Sequence, residues 1–199
     1  MAWTQPPNTA CIGQTITADM WNTYLRDNTA YLKARADIAD YRQVLDNITS
    51  AVPLTGNTNE NILYGFAIPA NTLGTTGMLR LKIHGTLSSP TGGQTETFRF
   101  KLGCTLAGIG VGGTTMVTDA RSFTSATKPF IIEAVLIAEG ATNSQRMLAS
   151  STMAVNWGDT GVAYEDMTAA KNLVVTYQST NSSATCVLYA ATLELLPAL

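Results

Sequence analysis

Between residues 20 and 48 nine positions recur alternately four and three apart: Met20, Tyr24, Asp27, Tyr31, Ala34, Ile38, Tyr41, Leu45 and Ile48, of which only Asp27 is polar. A mean spacing of 3.5 is that of a helix whose seam faces another helix. Thr17 suits the N-cap and Asp19 the first turn, while Pro53 and Gly56 stop any continuation, so the spacing predicts a helix of about 45 Å. From about residue 58 onward no helical period recurs, so the partner in the seam is the same helix of other copies. The competing reading is one helix packed along its own domain. Asp27 sits where an apolar knob belongs, and a polar residue there fixes register and strand number at a cost in stability. Two readings of it stay open, an ion pair with Arg26 of a neighbouring copy or a place in solvent.

The segment ahead of the helix holds Trp3, Pro6, Pro7 and Gly13, and the prolines read as an extended arm. Beyond the helix the period changes to two. Ile62, Tyr64, Phe66 and Ile68 alternate; Leu79, Leu81 and Ile83 alternate against Arg80, Lys82 and His84; Phe98, Phe100, Leu102 and Cys104 alternate against Arg99 and Lys101. Residues 130–138 are apolar apart from Glu133, as in a strand covered on both faces. Further runs at 145–155, 172–178 and 184–195 bring the expectation to about eight strands in a two-sheet antiparallel sandwich. The expected organisation is an arm at 1–16, an assembly helix at 17–50 and a β body at 51–199, a mainly β chain.

Composition narrows the function classes. Charged residues are 13% of the 199, roughly half the usual quarter, and net charge is −2 with Lys and Arg scattered singly, which gives no electrostatic grip on nucleic acid. Cys11, Cys104 and Cys186 are odd in number and lack CxxC spacing, so reduced thiols of a cytoplasmic product are expected. No stretch of about 18 apolar residues predicts membrane insertion, and no basic-then-apolar segment predicts a signal peptide.

Catalytic patterns fail on context. Gly108, Gly110 and Gly113 fit GxGxxG in letters, but Thr114, Thr115, Val117 and Thr118 favour extended chain where a dinucleotide site needs a helix. Ser125 and Lys128 fit S-x-x-K, but Pro129 forbids the helix that would join them. One histidine, His84, builds neither a triad nor a histidine metal site. Asp159, Glu165 and Asp166 suit a calcium loop or glycosidase-like cleft in type, yet neighbours in extended chain point opposite ways, and an exposed turn is the preferred reading. No catalytic residue, metal or cofactor is expected, and the chain reads as a non-enzyme. The segment 157–164 is the best candidate for ligand contact: Trp157 and Tyr164 offer aromatic faces to sugar rings and Asp159 a hydroxyl acceptor. Trp157 as a core or assembly-interface residue is the other reading.

Residues 1–6, Met-Ala-Trp-Thr-Gln-Pro, then Gly13, then Thr17-Ala18-Asp19-Met20-Trp21-Asn22-Thr23-Tyr24-Leu25-Arg26-Asp27-Asn28, resemble the AWT-P arm and TAxxxNTx(L/V)RDN helix shared by many tailed-bacteriophage virion proteins. Phe66 to Gly74, with Gly77-Met78-Leu79-Arg80, resembles their IPANTLG segment, and Thr97 to Thr105 is similar to a later stretch, with Cys104 where a glycine is usual. The resemblance covers three segments in order over most of the chain. It implies a trimer with a jelly-roll body, made in the bacterial host's cytoplasm and carried on the virion as a tail-fibre or head-decoration subunit. Trp3, Trp21 and Arg26 would then anchor it to other virion proteins, and the exposed body would meet host-surface glycan.

Overall fold

The computed structural model describes residues 26, 43–55, 58–90, 92–107, 112–123, 126–152 and 158–196. The chain divides into two units, Met1–Arg42 and Gln43–Leu199. Arg26 is the one described residue of the first unit, helical and exposed. Seam positions Met20, Tyr24, Asp27, Tyr31, Ala34, Ile38 and Tyr41, with Trp3 and Trp21, lie outside the described residues.

The second unit consists of strands β1 (Gln43–Ile48), β2 (Val52–Thr55), β3 (Asn61–Ile68), β4 (Met78–Ser89), β5 (Gln94–Leu102), β6 (Thr114–Phe123), β7 (Ala126–Ala138), β8 (Gln145–Ser151), β9 (Gly158–Ala163), β10 (Lys171–Ser179) and β11 (Thr185–Leu196). They form two antiparallel sheets. The larger runs β1-β11-β4-β7-β8-β9, with β2 also on β11, and the smaller runs β3-β10-β5-β6. The order β2-β11-β4-β7 over β3-β10-β5-β6, with the chain repeatedly changing sheets, is the nesting of a jelly-roll-like sandwich. The β8-β9 hairpin widens the larger sheet.

The inner faces meet in one core. Phe98, Phe100, Phe130, Ile83, Leu87, Ile132, Leu193 and Leu188 are at most 1% exposed, and burying each such side chain stabilises by about 1.5–3 kcal/mol. Phe98 is the centre of an aromatic trio, 5.2 Å from Phe130 and 5.4 Å from Tyr177 between ring centroids.

Three expectations are corrected. The long helix does not reach residue 50: Gln43–Ile48 is a strand paired with β11, and the unit boundary falls at 42/43. Leu45 and Ile48 therefore leave the helical seam and pack against the body's core. Pairing satisfies backbone groups along β11 that an isolated helix would leave open. Residues 158–163 form strand β9 rather than a loop. Finally, β7 is fully buried on one face only, with Ile131, Val135 and Ile137 half-buried on the other.

Candidate functional site

The registers give the body a near end, where β1 begins, and a far end. Gln43 lies opposite Leu195, Met78 opposite Ile137 and Leu196, Ile68 opposite Lys171, Leu102 opposite Thr114, and Gln145 opposite both Ala138 and Ala163. The β3–β4, β5–β6, β7–β8 and β9–β10 connections thus share the near end with the start of β1 and the finish of β11. The β2–β3, β4–β5, β6–β7, β8–β9 and β10–β11 connections share the far end.

This polarity separates the expected ligand contacts. Tyr164, 77% exposed, follows β9 at the near end. Asp159, opposite Ala149, lies toward the strand's other end, about 16 Å away at roughly 3.3 Å per residue. Trp157 lies outside the described residues. Residues 158–163 are a strand rather than a loop, and Asp159 and Tyr164 are not brought together.

Beside Tyr164 the near end carries a built polar cluster. The Glu165 carboxylate accepts from the Thr114 hydroxyl at 3.1 Å and pairs with Lys171 Nζ at 2.9 Å. Gln145, fully buried, fixes this turn from below: its Oε1 accepts from the Glu165 N–H, and its Nε2 donates to the Glu165 and Thr142 carbonyls. Gly103, at φ 73°, makes the room, because a Cβ there would lie 2.6 Å from the Glu165 carboxyl. Asn172 closes the side by donating to the Cys104 carbonyl at 2.7 Å, and burial pushes the Cys104 thiol up. Asp166 accepts from the hydroxyl and N–H of Thr168, which hold its carboxyl below the usual range. Glu165 and Asp166 are thus committed to turn-forming bonds, and among the described residues no three metal-ligating side chains gather. The arrangement supplies a fixed ion pair, Glu165–Lys171, next in sequence to the exposed Tyr164.

A second polar locus sits inside the far end. Glu96 is 1% exposed, and its Oε2 accepts from the Tyr177 hydroxyl at 2.6 Å, whereas Oε1 has no hydrogen-bond partner among the described residues. Asp119, 2% exposed, pairs with Arg121 Nε at 2.5 Å. The sequence carries a signal for Glu96, which shares the inward parity of Phe98 and Phe100 on β5.

No family model matches the chain, and no curated protein matches it. Among solved structures, a Bacillus endospore appendage protein of a disulfide-linked pilus family is 15% identical, with a TM-score of 0.38 over 79% of this chain and 92% of that one. Arcelin-5, a lectin-like defense protein from Phaseolus vulgaris, gives 7% identity and a TM-score of 0.42 over 78% of this chain and 91% of that one. A chain of infectious bursal disease virus, Gx strain, gives 15% and 0.33 over 80% and 43%. At such scores these likenesses carry no argument, and the architecture rests on the strand order above.

Proposed function

We propose that the chain is a structural subunit of a bacteriophage virion: an N-terminal arm that anchors, a helix that joins copies into a trimer, and a β body held outward as a fibre or appendage. The observation that carries this reading is the body's polarity. β1 begins and β11 finishes at the same end, so the leading segment joins the body at the end opposite the one where β2, β4, β6, β8 and β10 finish. The arm and helix motifs at residues 1–28 support the anchoring role.

This polarity also moves the host-facing surface. Tyr164 and the Glu165–Lys171 pair belong to the near end, and contact with host-surface glycan is assigned instead to the far end. There Thr180 bonds the Thr95 N–H and the Gln94 side chain, and Asn181 accepts from the Ser183 N–H. Such neutral hydroxyl and amide groups suit a neutral polyhydroxyl partner better than a charged one. We assign the chain no catalytic step.

Antibody labelling of whole particles, imaged by electron microscopy, tests the reading. Label on tail appendages supports it, label over the capsid moves the subunit to head decoration, and particles without label overturn it. Deleting residues 1–16 should release the protein from particles while leaving its oligomer intact.

A further inference from the structure

The two sheets differ on their outer faces. That of the smaller sheet is covered by the chain itself along β10: Val174 and Thr176 are fully buried there, Val174 against Cys104 and Ile62, Thr176 under Glu60. Glu60 also takes Lys101 at 2.9 Å and Arg99 at 3.7 Å. The larger sheet has no such cover among the described residues. In register across it run Arg80, Val135 and Leu148, and in the next row Met78, Ile137, Arg146 and Val162. Leu148 is 42% exposed, and Val135, Ile137 and Val162 are half-buried beside it. Leu148 and Val135 thus adjoin in one row with Ile137 beside them in the next, and apolar side chains gathered on a surface are where proteins associate.

We propose that this outer face, centred on Val135 and Leu148, docks against a second copy of the chain; the proposal rests on the assembly reading of the helical stripe. Charge favours that partner. Arg80 pairs with Glu194 and reaches Glu133, and Arg146 pairs with Glu139 at 2.5 Å, so the charges around the patch are matched within the face. A balanced face offers no field to select an acidic or basic protein, and it does not repel its own copy. Connectivity favours it as well. β1 is a strand of this larger sheet, and only Arg42 stands between it and seam position Tyr41. Copies joined through the seam hold their larger sheets at high effective concentration, which lets a modest patch associate.

Thiol labelling of the full chain tests this. In a Cys11→Ser background, with Cys104 and Cys186 buried, single cysteines are placed at Leu148 and at Tyr164 and their maleimide reaction rates compared. In the assembled protein Leu148→Cys should react about tenfold more slowly than Tyr164→Cys, and the difference should vanish when Ile38→Asp separates the copies. Equal rates in a protein whose mass is that of an oligomer overturn the docking while leaving the seam standing. A full chain of single-copy mass overturns the seam, and the docking with it. Fast labelling of the free oligomer that slows only on particles gives the face to another virion protein and overturns the proposal.

Discussion

A Cβ added to Gly161 would fall 1.5 Å from the carbonyl oxygen of Met116. The edge of the larger sheet, β9, therefore abuts the edge of the smaller one, β6, backbone against backbone, and the sandwich is closed on that side without side chains between. Gly161→Val should cost about 3 kcal/mol, because an overpacked contact between two backbones has no flexible side chain to yield. Urea unfolding checks it: the midpoint should fall with little change in slope. An unchanged midpoint would mean that the two edges do not touch.

Tyr177→Phe removes the hydroxyl that donates to Glu96 Oε2. It leaves a buried carboxyl lacking that donor, which should cost about 1–3 kcal/mol. Thermal unfolding of the variant beside the parent measures the loss, and coincident melts would show that Glu96 draws its hydrogen bonds elsewhere.

Two tyrosines and one carboxylate are among the groups that make stability depend on pH. Burial first, then the acceptors Asp46 and Glu96, push the hydroxyls of Tyr64 and Tyr177 above the ordinary tyrosine range. Since the folded value exceeds the unfolded one, their contribution is complete below about pH 10 and is lost as pH climbs beyond it. For Glu60 burial alone would raise the carboxyl, but the Thr176 hydroxyl and the Lys101 and Arg99 cations together hold it below the usual range. Its contribution is present above about pH 4.3 and disappears as pH falls further. Denaturant midpoints across pH should fall at both limits. Tyrosinate absorbance of these two residues should appear only with unfolding, and early ionisation of both would contradict their burial.

Leu45 and Ile38 should behave oppositely, although both lie on the 3.5-residue stripe. Leu45 packs against the body's core from β1, so Leu45→Ala should lower body stability by about 2 kcal/mol with no change in oligomer mass. A lower mass with an unchanged melt would return Leu45 to the seam.

Where one strand face is core and the other solvent, the sequence is readable, as at Leu79, Leu81 and Ile83 against Arg80, Lys82 and His84. Lys101 shares that outward parity yet is 7% exposed, because Glu60 lies over it, a contact no local pattern encodes. β7 reads as covered on both faces because its outer face is itself apolar. β1 is hidden by coincidence: a bulge between Val44 and Asp46 turns both Leu45 and Ile48 to the core, and two residues three apart then continue a helical stripe. β9 is hidden for another reason. Its Gly161 is there for the close approach to Met116, whereas glycine in a sequence reads as loop. The Glu165 cluster joins residues from 103 to 172, and only the fold reveals that Gly103 and Thr114 belong with it.

The central claim is that identical chains assemble through the helical stripe and that the β body is what they carry. The most direct measurement is the solution mass of the full chain and of Ile38→Asp by light scattering. The account predicts three times the 21.1 kDa of one chain for the parent, and a single-chain mass with an intact β circular dichroism spectrum for the variant. A parent that runs as one chain, or a variant that keeps the parent's mass, contradicts it.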